Sequence, residues 1–174
     1  MHIIYDVENI KTPRHGATYR SKNVDIKKAS DAIKKRFPAL YTAETAFLRI
    51  FHDNGARIEK VKPFLRFLAA NNIKVKTKKP KQKRIEGVYQ GQKYIHTYSQ
   101  GDMDCMIIEE ILRSIDTFTH IVVFSGDGDM ISALKFAERM GVEVTVVAHE
   151  ENISAGLLKF DHIFLHSILE KEDK

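Results

Sequence analysis

Acidic residues that follow short apolar runs are the residues of this chain best suited to chemistry. Asp6 comes directly after one such run, and Asn9 lies three residues further on. The segment 125–129, Ser-Gly-Asp-Gly-Asp, follows the run Ile-Val-Val-Phe, and Asp104 begins a helical pattern between the two. Apolar runs of this length indicate buried parallel strands, and ligands of such sheets bind beyond the carboxyl ends of the strands. We therefore expect these acidic residues at one edge of a sheet.

Carboxylates gathered at one edge repel one another unless a cation lies between them. Oxygen ligands suit Mg²⁺ and Mn²⁺, and such ions polarise phosphate groups and lower the pKa of a bound water. Asp6, Asp104 and Asp127 are therefore the predicted ligands of one or two Mg²⁺ or Mn²⁺ ions. Asp129 would ligate directly or through water, and Asn9 would ligate, position a water or hydrogen-bond the substrate. The pattern predicts metal-dependent phosphoryl chemistry.

Ser125 and two neighbouring glycines, Gly126 and Gly128, would shape this site. Ser125 is predicted on its substrate-binding side, where it would orient a carboxylate or cap the following helix. The glycines would allow a tight turn that brings the backbone close to the ligand. Each acidic residue also has a purely structural interpretation, since Asp104 could cap a helix and Asp127 could belong to a turn. Their joint occurrence favours a clustered acidic site.

A strongly basic segment lies in the middle of the chain. Residues 74–93 hold eight basic residues and a single acidic one, a net charge of +7 that exceeds the +5 of the whole chain. A charge run of this kind is often a solvated loop. Here it is interleaved with rings that can stack on bases while lysines contact phosphates, namely Tyr89, Tyr94, His96 and Tyr98. We therefore predict that this segment binds nucleic acid through Lys78, Lys79, Lys81, Lys83 and Arg84.

Length and composition narrow the class of protein. The 174 residues favour one domain, 1–174, with a basic insertion at about 76–98. The lone Cys105 excludes a disulfide framework and fits a reducing compartment. No apolar run approaches the roughly 20 residues that span a bilayer. We expect a cytoplasmic protein that does not bind membranes. Apolar helix faces serve cores and dimers alike, so a homodimer stays open.

Apolar periodicity predicts strands that alternate with helices. The predicted strands are 2–7, 46–52, 73–75, 120–124, 142–148 and 163–165. A polar loop is predicted over 11–23, and a hairpin through Gly87 and Gly91 in the basic segment. The helix after Gly128 is expected to carry the apolar residues Ile131, Leu134, Phe136 and Ala137 and to stop at Gly141. This order indicates an α/β fold, a three-layer α/β/α sandwich with a mostly parallel central sheet.

These motifs resemble the NYN domain family, a branch of the PIN-like ribonucleases. Asp6 and Asn9 match the family's Asp-x-x-Asn opening, and Asp104 corresponds to the Asp that opens its third helix. The likeness is strongest at 125–129, and Glu110 stands where the family commonly has Asp. A weaker match near the end of the chain involves Ser154, Leu157, Asp161 and Phe164. The motifs span nearly the whole chain in the family's order.

The resemblance implies a PIN-like, Rossmann-like fold and a metal-dependent endoribonuclease that hydrolyses RNA. Its implied catalytic residues are Asp6, Asn9, Asp104, Asp127 and Asp129. The alternative is an RNA-binding NYN module with little or no catalytic activity. A phosphatase of the haloacid dehalogenase type would need an Asp-x-Asp pair after the first strand, where this chain has Asp6-Val7-Glu8. The Gly-x-x-x-x-Gly-Lys of P-loop nucleotidases is absent. Whether Glu110 and Asp161 belong to the site stays open.

Overall fold

The computed structural model describes residues 1–11, 24–50, 55–79, 81–89, 92–100 and 103–169. The elements in chain order are β1 (His2–Asp6), α1 (Val7–Lys11), α2 (Ile26–Arg36), β2 (Ala43–Arg49), α3 (Gly55–Ala70), β3 (Lys74–Lys78), β4 (Lys81–Tyr89), β5 (Gln92–Gln100), α4 (Asp104–Ser114), β6 (His120–Phe124), α5 (Ile131–Arg139), β7 (Glu143–Ala148), β8 (Asp161–Phe164) and α6 (Leu165–Leu169). Short 3-10 turns cover Gly128–Met130, Glu150–Asn152 and Leu157–Lys159. Most of the predicted polar loop, 12–23, lies outside the described residues.

Six strands form one all-parallel sheet in the order β3-β2-β1-β6-β7-β8. Every residue of β1 and β6, the central pair, is buried, as expected for parallel strands covered on both faces. The chain runs outward from β1 to β3 on one side and from β6 to β8 on the other. The strand order therefore reverses between β1 and β6, and the crevice beyond their carboxyl ends is where such sheets bind ligands.

Helices cover both faces of the sheet because residues along a strand alternate between its faces. Ile3 and Tyr5 of β1 pack in one core with residues of α2 and α3, whereas Ile4 packs in a second core with α4 and α5. Each apolar side chain buried in this way contributes about 1.5–3 kcal/mol. The predicted three-layer α/β fold is confirmed. No helix within the described residues is long and apolar enough to cross a bilayer.

Element boundaries follow the sequence signals where those signals are strong. α2 begins after Asp25, whose side chain accepts a hydrogen bond from the Lys28 N–H, as expected for a capping residue. α1 and α6 were not predicted, because helices of 5 residues are too short to show a periodic pattern. The predicted helix is present as α5, although one of its apolar residues, Phe136, is 40% exposed and lies beside Arg139.

β4 and β5 form a separate, two-stranded antiparallel sheet between β3 and α4. Its base is at Lys81 and its tip at Tyr89. The predicted hairpin is present, but Gly87 lies within β4, paired with Tyr94, instead of in the turn. Gly91, the other predicted turn glycine, lies outside the described residues. Most of the basic segment thus forms a regular β-ladder. This ladder is inserted between β3 and α4 and does not interrupt the parallel sheet.

Glu110, which the sequence left between a site residue and a surface residue, is neither. It is buried on α4, where Oε2 is 2.5 Å from Lys76 Nζ and Oε1 accepts a hydrogen bond of 3.2 Å from the Thr45 hydroxyl. His2, at the start of β1, lies 3.8 Å from Oε1, whereas Asp6 ends the same strand. Burial raises the pKa of Glu110, but Lys76, His2 and Thr45 lower it below its ordinary value of 4.5.

Replacing Glu110 with Ala should lower the free energy of unfolding by about 1–3 kcal/mol, because Lys76 and Thr45 lose a partner in a largely buried place. The matched control is Glu109→Ala, which removes an exposed ion pair to Arg113 and should cost less than about 0.5 kcal/mol. Urea denaturation at neutral pH measures both. Because the folded pKa of Glu110 is lowered, its contribution is present above pH 4.5 and should fade as the pH falls further. Equal losses in the two variants would contradict this interpretation.

Candidate metal centre

Three aspartates that the sequence predicted as ligands converge at the carboxyl edge of the sheet. Asp127 follows β6, Asp129 lies in the 3-10 turn after it, and Asp104 is the first residue of α4. One carboxylate oxygen from each lies within 4.8 Å of the others. Asp104 and Asp127 are half-buried, and Asp129 is exposed. Asp104, 23 positions before Asp127 in the sequence, is thereby brought next to Asp127 and Asp129 at the reversal point of the strand order.

The spacing of these oxygens suits a shared divalent cation. Ligand oxygens lie about 2.0–2.6 Å from Mg²⁺ or Ca²⁺, so two ligands of one ion are at most about 5 Å apart. All three donors are carboxylate oxygens, the ligand type that hard cations prefer. The donor set therefore fits Mg²⁺ or Mn²⁺. No histidine or cysteine belongs to this group in the described part of the chain, as zinc would favour.

Asp6 occupies a different position from the other three aspartates. Its side chain is buried at the end of β1, and it does not belong to the group whose oxygens converge. Oδ2 accepts hydrogen bonds of 3.0 Å from the Ser125 hydroxyl and 2.5 Å from the Asn9 side-chain amide. Burial raises the pKa of Asp6, the bonds from Asn9 and Ser125 oppose this, and the charge of Asp127 raises it further. The Ser125 hydroxyl, which also accepts a bond from the Asp127 N–H, places Asp6 directly behind the cluster.

Ser125 connects Asp6 to the cluster. Its hydroxyl donates to Asp6 and also accepts a hydrogen bond of 3.1 Å from the Asp127 backbone N–H. Of the two roles predicted for Ser125, its contacts support the orientation of a carboxylate. The capping role belongs instead to Asp127, whose Oδ1 accepts a bond of 3.2 Å from the Asp129 N–H. A carboxylate fixed in this way loses little conformational entropy on binding a cation.

Gly126 is required by close packing against another loop. A Cβ at this position would lie 2.4 Å from the backbone oxygen of Asn152. The Gly126 carbonyl also accepts a hydrogen bond of 2.9 Å from the Ser154 N–H. Gly128 is similarly close to Ser154, since its Cβ would lie 2.7 Å from the hydroxyl oxygen. Gly128 begins the 3-10 turn, and both glycines also allow a close approach between segments, although neither has a positive φ.

Arg49 is a basic residue at the same edge that the sequence patterns did not single out. It ends β2, and its Nη2 lies 2.9 Å from a carboxylate oxygen of Glu8, two residues after Asp6. The strand register pairs Arg49 with Lys78 at the end of β3. Arg49 was missed because the predicted strand extended beyond it, which hid its position at the strand end. These cations lie on the β2–β3 side of the acidic cluster.

The remaining predicted residues lie in two places. Lys78 ends β3 and Lys79 follows it, whereas Lys81, Lys83 and Arg84 belong to β4. Asp161 begins β8 and is exposed, so it lies at the end of the strands away from the cluster. Asp102, an additional carboxylate beside Asp104, lies outside the described residues. The acidic cluster therefore lies at the carboxyl edge of the sheet. The basic segment begins at the same edge, at the end of β3, and continues into the insertion that follows.

Replacing Gly126 with Ala should lower the free energy of unfolding by about 1–3 kcal/mol, because the added methyl group would collide with backbone that cannot move alone. Mn²⁺ affinity should also fall, since the loop carrying Asp127 must shift. Gly156→Ala is the control, because its Cβ would meet only the flexible end of the Ile131 side chain. Urea denaturation and calorimetric titration with Mn²⁺ measure the two effects. Identical stabilities for both variants would contradict the packing requirement.

Comparison with known proteins identifies a similar structure and a family. A crystal structure of a protein of unknown function from Vibrio parahaemolyticus is similar to this chain, with a TM-score of 0.67 and 22% sequence identity. The similarity covers 94% of this chain and 89% of that one, and at this identity it shows the fold alone. Among proteins with curated descriptions, none matches. The family model of the NYN domain matches residues 1–168, nearly the whole length. The chain therefore belongs to the NYN domain family.

Proposed function

We propose that this protein is a metal-dependent endoribonuclease that hydrolyses RNA phosphodiester bonds at the acidic cluster. The observation that carries the proposal is the convergence of three carboxylate oxygens within 4.8 Å at the strand-order reversal of an NYN domain. NYN domains are related to the PIN-like nucleases, which supports nuclease chemistry. A hydrolytic site of this kind needs acidic ligands for the metal ion and a basic surface that binds the polyanionic RNA. This chain has acidic and basic residues suited to both roles.

The residues around the cluster have distinct proposed roles. Asp104, Asp127 and Asp129 would hold Mg²⁺ or Mn²⁺, which when bound stabilises charge on the scissile phosphate and lowers the pKa of a coordinated water. Asp6 would stabilise the loop after β6 through its hydrogen bond with Ser125 and would add negative charge behind that loop. Direct ligation of the metal ion by Asp6 stays a prediction. Asn9 fixes the Asp6 carboxylate through its amide. These contacts hold the ligands in place before substrate arrives.

RNA binding is the second part of the proposal. Three carboxylates repel a phosphodiester, so affinity must come from cations close by. Arg49 and Lys78 lie at the ends of neighbouring strands at the same edge, and the basic hairpin begins three residues later. The predicted contacts Lys78, Lys79, Lys81, Lys83 and Arg84 would extend this surface.

The second candidate function is an RNA-binding NYN module with little or no catalysis. One observation favours it: Asp127 already has a structural role as the cap of the following 3-10 turn. A cap requires no metal. The two candidates differ in whether the charge of Asp127, as opposed to its hydrogen bond, matters. Localisation in the cytoplasm, for which the unpaired Cys105 is suitable, and a homodimer both stay predictions.

Replacing Asp127 with Asn should abolish Mg²⁺- or Mn²⁺-dependent cleavage, with a loss of more than about 100-fold, the upper range for residues that only support a metal ligand. The amide oxygen can still accept the Asp129 N–H bond, so the turn and the fold should persist. Stability should stay the same or rise, because one of several repelling charges is gone. Cleavage of labelled RNA, Mn²⁺ titration calorimetry and urea denaturation measure these effects.

The control for this variant is Asp116→Asn, at an exposed position in the turn after α4. It changes the same charge and should leave cleavage and Mn²⁺ binding unaltered. Asp104→Asn should behave like Asp127→Asn. RNA binding without cleavage in the wild-type protein would favour the binding module, and wild-type cleavage by Asp127→Asn would exclude the proposed metal centre.

Replacing the five predicted RNA contacts, Lys78, Lys79, Lys81, Lys83 and Arg84, with Gln should weaken RNA binding at low salt and flatten its salt dependence. Each phosphate contact on a single strand contributes about 0.7 to the slope of log affinity against log salt, so complete loss would change the slope by about 3.5. Fluorescence anisotropy over a salt series measures it. The control removes equal charge from exposed positions on α2 and α3, namely Lys35, Arg36, Lys60, Lys62 and Arg66. Equal changes in both variants would mean that RNA affinity depends on the total charge of the protein and not on contacts made by the basic segment.

A further inference from the structure

The ladder of β4 and β5 sorts the residues of the basic segment onto two faces. In an antiparallel pair, directly paired residues share a face, and successive residues alternate between faces. One face holds Lys81, Lys83, Ile85, Gly87 and Tyr89 of β4 with Gln92, Tyr94, His96, Tyr98 and Gln100 of β5. The other holds Gln82, Arg84, Glu86 and Val88 with Lys93, Ile95, Thr97 and Ser99. The two faces therefore differ sharply in chemistry.

All four ring-bearing residues of the hairpin fall on the first face, which we call the aromatic face. Tyr94, His96 and Tyr98 follow one another at every second position of β5. Such positions are about 6.8 Å apart, twice the separation of stacked bases of about 3.4 Å. A row of this spacing has the repeat that a stack of alternating rings and bases requires.

Net charge also favours the aromatic face. That face carries Lys81 and Lys83 and no acidic residue, whereas the opposite face carries Arg84 and Lys93 together with the acidic Glu86. Lysines beside rings are the combination by which proteins bind unpaired strands, since the cations contact phosphates and the rings stack on bases. Aromatic residues on a β-sheet surface likewise stack two or three bases in RNA-binding domains.

The hairpin is connected to the acidic cluster at both of its ends. β4 begins at Lys81, three residues after Lys78 at the carboxyl edge of the parallel sheet. β5 ends at Gln100, four residues before Asp104, so these two Cα atoms are at most about 14 Å apart. The base of the hairpin is therefore tied to the cluster, and the ladder of nine residue pairs extends over about 27 Å.

We propose that the aromatic face of the β4–β5 hairpin binds single-stranded RNA by stacking its unpaired bases and leads that strand to the acidic cluster. The second half of this statement rests on the proposed nuclease function, whereas the first does not. Bases in an RNA duplex are stacked on one another and cannot be taken up by protein rings without unpairing. The substrate class of the site is accordingly unpaired RNA.

The test compares binding of an unstructured oligouridine with binding of a blunt RNA duplex, by anisotropy in the presence of EDTA so that no cleavage occurs. Replacing Tyr94 and Tyr98 together with Thr should weaken oligouridine binding by at least about tenfold, because each stacked base contributes that order of affinity. Duplex binding should change less than twofold. The control replaces Ile95 and Ser99 with Thr on the opposite face of the same strand and should leave both affinities unchanged.

A second pair of variants keeps the test independent of any effect on hairpin stability. Lys83→Gln and Lys93→Gln remove one charge each from opposite faces of the same ladder. Lys83→Gln should weaken oligouridine binding more than Lys93→Gln does, and equal effects would overturn the proposal. The protein has no tryptophan, and three of its six tyrosines lie on the aromatic face, so stacking should also quench tyrosine emission on binding.

The outcomes separate this proposal from the nuclease assignment. Selective oligouridine binding through the aromatic face, without cleavage on adding Mn²⁺, would support the surface and overturn the catalytic function. Cleavage that persists while both faces contribute equally to binding, or while duplex and oligouridine bind alike, would overturn the surface and leave the metal centre in place.

Discussion

The hydrogen bonds that satisfy the buried Asp6 carboxylate determine the shape of the candidate metal centre. A carboxylate at the end of a central, buried strand is costly unless it is hydrogen-bonded. Ser125 and Asn9 supply those bonds, and the same Ser125 hydroxyl holds the Asp127 backbone. Removing Asp6 would therefore affect the loop after β6 as well as the local charge. The buried Asp6 carboxylate needs these hydrogen bonds whether or not a cation is bound. The same bonds fix the loop that carries the converging aspartates.

The reversal of strand order gives this arrangement its place in the fold. β1 and β6 are far apart in sequence but adjacent in the sheet, so the loops that follow them diverge to opposite sides and leave a crevice between them. α4 packs across this point and contributes Asp104 from its first turn. Glu110, six residues further along the same helix, contacts Lys76 and lies 3.8 Å from His2 at the start of β1. The same helix thus contributes a residue to the acidic cluster from its first turn and a residue to a buried ion pair from its second half.

The sequence predicted those parts of the structure that depend on local pattern. Buried strands appear as apolar runs, helices as periodic segments between them, and the aspartates as polar residues directly after strand ends, so the α/β fold was predicted correctly. Contacts between distant segments leave no such pattern. The need for Gly126 comes from Asn152, and the position of Glu110 from Lys76 and His2, which lie far away in the chain. Arg49 was missed because a strand boundary was misplaced. The convergence of Asp104 with Asp127 follows from the topology, whereas the distance between their oxygens depends on how α4 packs against the loop after β6.

The separateness of the hairpin ladder has an evolutionary consequence. Because β4 and β5 form a two-stranded sheet of their own within the described residues, residues can be added or removed at the tip in pairs without changing the register of the parallel sheet. The entropic cost of a longer insertion grows only slowly with its length. Related chains could therefore vary the reach and ring content of this arm while the loop after β6 stays constant. Changes in the arm could therefore accumulate while the constraints on folding and on the acidic cluster remain unchanged.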